Sequence, residues 1–229
     1  MKNKTLGVIT FYPKEMNPLL ENLIIKKTEI IGNHTYFFSE ISDINIIAVC
    51  TNIGKVCAAS VAAILISKFN VDALFGIGFA GLLRGDSVKL GDIILCNTGF
   101  YSDMNATPVY PKFTIPSINS QIIRNYCYEN KKIINFLGTT ATADSFITEK
   151  LSEYPIENME EVVVADMEST AVSQVCEEFK IPFTCIRIIS DFCTKDSGST
   201  FQESCNKFKD KIFNTLELYI LSDSIMWAD

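Results

Sequence analysis

Apolar residues recur along this chain with two alternating periods, and their succession predicts an α/β protein. Leu6 to Thr10 is a short apolar run suited to a buried strand, and from about Lys14 the apolar positions recur at helical spacing. Thr35 to Ile41 and Asn45 to Cys50 alternate like strands, predicting a hairpin joined across Ser42 and Asp43. Val56 to Phe69, rich in Ala and Ile, predicts a helix. A strand from Asp72 to Gly78 then enters the glycine-rich GIGFAG, expected to be a tight strand-to-loop turn where backbone approaches a ligand. A further strand, Asp92 to Asn97, follows a turn at Gly91.

The middle of the chain is less regular. Residues 99 to 117 carry Pro108, Pro111 and Pro116 among aromatics, a long connection expected to serve a site or an interface. A helix over 118 to 130 and a strand over 136 to 143 follow. Two apolar runs, VVVAD and PFTCIRIIS, predict buried strands, and Thr200 to Leu221 predicts one long amphipathic helix. Strands alternating with helices, mostly in a parallel sense, place helices on both faces of a sheet. At 229 residues the chain fits a single domain spanning 1–229.

Composition removes several function classes. The longest apolar stretch, Ala73 to Leu83, falls well short of the roughly 20 residues of a membrane span, so no membrane association is expected. The N-terminus has a basic start but neither a long apolar run nor a small-residue cleavage site, which predicts a cytoplasmic protein. The net charge of −7, with Arg84, Arg124 and Arg187 the only arginines, argues against nucleic acid as a partner. Eight cysteines stand singly without a CxxC, and His34 is the sole histidine, so core packing in a reducing compartment is expected and no metal site. GIGFAG lacks the later glycine of a dinucleotide fingerprint, and no cofactor is called for.

Candidate chemistry lies where apolar strands end in charge. VVVAD runs into Asp166, Met167 and Glu168, while PFTCIRIIS carries Arg187 and Ser190 and ends in Asp191. A charge at the mouth of a core strand needs a compensating role. Glu15 follows the first strand, where a first-turn acid favoured by the helix dipole is the simple account. Capping likewise accounts for one of Asp166 and Glu168, and Phe146, Ile147, Met167 and Phe201 have the residue types of core positions. Capping leaves unexplained why three carboxylates end three strands. In a parallel sheet those ends share one edge, so Glu15, Glu168 and Asp191 are expected to converge on one pocket.

The motifs TFYPKE, TNIGKVCAAS, GIGFAGLL, VKLGDIIL, TATADSFI, VVADMESTAVSQVC and IRIISDFCTKD together resemble the nucleoside phosphorylase superfamily. Within it the chain is most similar to 5′-methylthioadenosine/S-adenosylhomocysteine nucleosidases, over about residues 5 to 220. The resemblance implies a three-layer α/β/α fold with a mixed, mostly parallel sheet. It also implies a homodimer that hydrolyses the N-glycosidic bond of an adenine nucleoside. Glu15 would activate the attacking water and Asp191 would protonate N7 of the leaving purine. Glu168 would bind the ribose hydroxyls with Met167 against the sugar, and Arg187 would position Glu15 or its water. Phe146 and Ile147 would hold adenine, Phe201 would border the 5′ pocket, and Phe79, Asp166 and Ser190 would belong to the substrate site. The residues of the 99 to 117 connection would meet the partner subunit.

Chemistry asks for the same residue types. Breaking a ribosyl bond builds oxocarbenium character that carboxylates stabilise. The departing base needs a proton, so one carboxyl must hold its proton near neutral pH while another has lost it. Phosphorylases of the superfamily hold phosphate with arginines, and TFYPKE and LFGIGFAG contain none, which favours water as nucleophile. The chain departs from the usual pattern at Phe79, where a small hydroxyl residue is common, at Asp166, where Glu is more usual, and at Ser102, where many relatives have His. Three readings stay open: a nucleosidase, a phosphate-dependent phosphorylase, and a non-catalytic nucleoside binder.

Overall fold

The computed structural model describes residues 4–105, 134–149, 161–222, 225 and 227–228. Among them nine strands form one mixed sheet: β1 (Thr5–Thr10), β2 (Lys27–Ile31), β3 (His34–Ile41), β4 (Ile44–Cys50), β5 (Ala73–Arg84), β6 (Ile93–Tyr101), β7 (Phe136–Thr142), β8 (Val162–Asp166) and β9 (Phe183–Asp191). The helices are α1 (Pro13–Asn22), α2 (Lys55–Ser67), α3 (Ser169–Phe179), α4 (Ser197–Lys207) and α5 (Asp210–Leu221). They pack in two groups, α2 with α3, and α1 with α4 and α5. This is the expected α/β class with a mixed sheet.

Strand order is β2-β3-β4-β1-β5-β8-β7-β6-β9, and β9 also pairs with β5. The second half of the sheet therefore closes on itself, β5 being the shared strand. β5 runs parallel to β1 and β9 but antiparallel to β8. Gly81 of β5 is opposite Ala165 of β8 on one side and Asp191 of β9 on the other. The strand ends meet because β5 outruns β1 and β8 takes over as its neighbour. That differs from the simple parallel edge expected from the sequence.

GIGFAG is not a turn. It lies inside β5, and the glycines with positive φ among the described residues are Gly32, Gly54, Gly85 and Gly91. The missing side chains serve another purpose. A Cβ on Gly78 would lie 2.8 Å from both Arg187 Nη1 and Glu15 Oε1, and one on Gly81 would lie 2.9 Å from Asp191 Oδ1. Period-based reading sees glycine as a strand breaker, whereas here it clears space for neighbouring side chains.

Other elements keep or shift their expected bounds. The hairpin turn at Ser42 and Asp43 has φ of 47° and 66°, the paired left-handed geometry of a two-residue connection. β2 went unread because KTEII lacks a clean alternation. β6 extends into the connection as far as Tyr101. The remainder of that connection from 106 on, and the helix expected over 118 to 130, lie outside the described residues. The long C-terminal helix is two helices, parted at Phe208 and Lys209. Phe208 packs on Gly91, whose Cβ would lie 2.6 Å from its ring. Helical spacing continues across the break, so the pattern does not reveal it.

Candidate active site

Glu15 enters the site from the first turn of α1, and it is buried rather than exposed. Its Oε2 accepts the N–H groups of Phe11 at 2.8 Å and Tyr12 at 2.9 Å, and its Oε1 accepts that of Phe79 at 2.7 Å. Capping and site placement are thus one arrangement: the side chain satisfies N–H groups ahead of the helix and also reaches β5. Burial raises its carboxyl above the ordinary value, opposed by the Phe79 N–H, by the Arg187 charge and by the two N-terminal N–H groups.

Arg187 is the buried hub. Its Nη2 lies 2.8 Å from Asp166 Oδ2 and 3.6 Å from Glu168 Oε2. Nε and Nη2 donate to Ser169 Oγ at 3.0 and 2.7 Å, and the guanidinium stacks 4.1 Å from the Phe11 ring centroid. A buried guanidinium needs this many partners to offset its lost hydration. Asp166 also accepts Thr142 Oγ1 at 2.5 Å and the Ser169 N–H at 3.3 Å. It borders the cavity, yet its oxygens are engaged by Arg187, Thr142 and the start of α3.

Glu168 occupies the N-cap position of α3. Its Oε1 accepts the Gly54 N–H at 3.0 Å from the start of α2. Burial pushes its carboxyl up to about 8; Arg187 opposes the rise and Asp166 adds to it. One guanidinium faces three buried carboxyls, so charge balance favours keeping a proton among them.

Asp191 sits at a bulge where β9 shifts register against β5. Its Oδ1 accepts the Cys193 N–H at 3.0 Å, and its Oδ2 lies 2.8 Å from Ser190 Oγ, which also reaches the Ala80 carbonyl at 3.1 Å. Cys193 has φ of 52°, a left-handed conformation uncommon outside glycine, which turns its N–H back toward Asp191. Asp191 thus receives one backbone N–H where Glu15 receives three.

Glu15, Asp166, Glu168, Arg187 and Asp191 border one cavity of about 370 Å³, within the usual range for a small-molecule site. Glu15, Phe79, Phe146, Ile147, Asp166, Met167, Glu168, Arg187, Ser190, Asp191 and Phe201, all singled out from the sequence, line it together. Phe201 stands edge-on to Tyr12, Phe79 and Phe146, at centroid separations of 5.5, 6.3 and 6.0 Å. One wall is therefore aromatic, and Glu15 adjoins it through the Tyr12 and Phe79 N–H groups. Phe79 does not fill the cavity; its ring joins the aromatic wall while its N–H holds Glu15.

Sequence reasoning missed Thr142, Ser169, Tyr12, Ile53 and Cys193. Thr142 and Ser169 lie inside the motifs TATADSFI and MEST, but nothing in their spacing pairs one with Asp166 and the other with Arg187. Tyr12 and Ile53 line the cavity from short loops inside the motifs TFYPKE and TNIGKVCAAS, where neither residue type signals a role.

A model of the phosphorylase superfamily matches residues 5–220. The chain belongs to the phosphorylase superfamily. Among its relatives in that superfamily, the 5′-methylthioadenosine/S-adenosylhomocysteine nucleosidase of Buchnera aphidicola is 33% identical over 216 residues, 89% of each chain. The S-adenosylhomocysteine nucleosidase of Streptococcus pyogenes, solved with 5-methylthiotubericidin, superposes with a TM-score of 0.86 at 22% identity, covering 99% of both chains. Futalosine hydrolase of Helicobacter pylori superposes with a TM-score of 0.85 at 19% identity, over 97% of this chain and 99% of that one. At that identity the likeness of the superfamily structures is one of fold.

Proposed function

We propose that this chain is a nucleosidase that hydrolyses the N-glycosidic bond of 5′-methylthioadenosine, S-adenosylhomocysteine or a related 5′-substituted adenosine. The observation that carries this reading is the placement of Glu15, Glu168 and Asp191 around one cavity with a buried arginine among them. The names of the curated relatives support the substrate class.

In this mechanism water is the nucleophile. Glu15, held by three N–H groups, accepts a proton as the water oxygen bonds to C1′. The bond from C1′ to N9 breaks, and Asp191 delivers a proton to N7 so that adenine departs neutral. The other product is the 5′-substituted ribose. Glu168 binds the ribose hydroxyls, its position set by the Gly54 N–H, and Met167 lies against the sugar. Phe146 and Ile147 hold the base, Phe201 borders the 5′ substituent, Phe79 lies near the ribose, and Ser190 steadies Asp191. Asp166 acts through Arg187, fixing the guanidinium that holds Glu15 and its water in register.

Water is favoured over phosphate because Arg187, the sole arginine lining the cavity among the described residues, already serves Asp166 and Ser169. The entire unit from 1 to 229 acts as one domain, cytoplasmic and homodimeric in this reading. Exposed Ile53 and Phe146 at the cavity, and exposed Val56 and Met104, support the dimer by offering apolar surface. No helix among the described residues is long and apolar enough to cross a membrane.

The test is a panel of 5′-substituted adenosines incubated with purified protein, with and without inorganic phosphate, while free adenine is measured. Adenine release at a rate indifferent to phosphate is expected. Release that requires phosphate would make the chain a phosphorylase, and binding without release would make it a binder.

A further inference from the structure

Outside the ring of carboxyls, a second set of charges ties together three segments, two of which give the cavity Ile53 and Ser145 to Ile147. Lys55, the first residue of α2, places its Nζ 2.6 and 2.7 Å from the two carboxylate oxygens of Asp103 and 3.4 Å from Asp144 Oδ2. The ammonium also lies 5.2 Å from the Tyr101 ring centroid. Two backbone groups complete the knot: the Asp144 N–H donates to Asp103 Oδ2 at 2.8 Å, and the Lys55 N–H donates to Asp144 Oδ1 at 3.3 Å. Its neighbour Gly54 donates to Glu168, so one helix start serves both the knot and the site.

The position of Asp144 matters. Ser145, Phe146 and Ile147, which line the cavity, follow it directly and belong to no strand or helix. Asp144 is where that segment is fastened. The Lys55 side chain is 18% exposed, so solvent screens its pairs less than those of a free surface lysine. Burial pushes the Asp103 carboxyl up, but the Lys55 ammonium and the Asp144 N–H outweigh it and hold the carboxyl below its ordinary value.

We propose that Lys55 is a positioning residue for base recognition, fastening the segment from Asp144 to Ile147 by neutralising Asp103 and Asp144 without touching substrate. The proposal rests on the nucleosidase reading, in which that segment holds adenine. Without the ammonium, the two carboxylates keep only one backbone N–H each and repel, and the segment carrying Phe146 and Ile147 loses its register. Glu15, Arg187 and Asp191 are held by other contacts. Affinity for the base falls while the rate of bond breaking is kept.

Steady-state kinetics of Lys55→Met, Lys55→Arg and Asp103→Asn, with adenine as product inhibitor, test this. Lys55→Met is expected to raise KM and the adenine inhibition constant together by about tenfold, with kcat within about threefold of the parent. Lys55→Arg, which keeps the charge, is expected to restore both constants to within about threefold. A Lys55→Met protein with parental KM and inhibition constant, or with reduced kcat at unchanged KM, overturns the proposal. Should Lys55→Met fail to fold, Asp103→Asn decides, and parental constants there overturn it. If the parent releases no adenine from any substrate, the nucleosidase reading fails separately. Calorimetric binding of adenine to parent and Lys55→Met then still tests Lys55, equal affinities overturning its role.

Discussion

Arg187 Nη2 and Asp166 Oδ2 lie 2.8 Å apart with 1% of each side chain exposed, which makes this pair the buried electrostatic anchor of the site. Removing one partner strands the other charge away from water. Arg187→Met is therefore expected to lower unfolding stability by ~3–5 kcal/mol, read from urea denaturation, and to abolish adenine release. Lys is not an adequate replacement, since Nε and Nη2 both bond Ser169 Oγ while the plane stacks on Phe11. A variant as stable as the parent would show that the pair carries little of the fold.

Gly78 is expected to tolerate no side chain. A methyl group there meets Arg187 Nη1 at 2.8 Å and the Glu15 oxygens at 2.8 and 2.9 Å, groups locked by their own hydrogen bonds. Gly78→Ala should cost about 1–3 kcal/mol by overpacking and should reduce turnover more than stability alone explains. Thermal unfolding and an adenine-release assay on the same preparation check both parts.

Glu168 predicts a sloping stability profile. Its carboxyl sits at about 8 in the folded chain, burial being the main cause, against an ordinary 4.5. Between those values the folded state binds more protons than the unfolded state, so stability is full below about 4.5 and falls as pH rises through about 8. Glu15, also raised by burial, contributes with the same sign. Glu168→Gln should flatten the slope, measured as urea midpoints from pH 5 to 9; an equal slope in parent and variant would remove Glu168 as its source.

Asp191→Asn is expected to lower kcat by about 10²-fold or more, within the usual range for losing an acid catalyst. The amide keeps the acceptor for the Cys193 N–H, so far-UV circular dichroism should match the parent. Turnover at the parental rate would take Asp191 out of the mechanism.

Much of this protein is legible from one dimension. β1, β4, α2, β8 and β9 are long apolar runs of a single period, and local periodicity suffices for elements of that kind. The carboxylates at strand ends are equally visible, because charge directly after VVVA or directly after CIRIIS breaks a strong pattern. β2 and the parting of α4 from α5 are not. KTEII carries no sharp alternation, and the turn at Phe208 is set by Gly91, 117 positions earlier in the chain.

Residue types and their order were thus determined by the sequence alone: an α/β chain, acidic groups at strand ends, and one arginine inside a core strand. Tertiary structure alone decided how those groups meet. β5 outruns β1, pairs antiparallel with β8 and closes the sheet, and its glycines leave room where Glu15, Arg187 and Asp191 converge. The physical reason is range. Periodicity reports burial over a few neighbours, whereas strand pairing and the space left by an absent Cβ depend on residues far apart in the chain, such as Glu15 with Gly78 and Gly81 with Asp191.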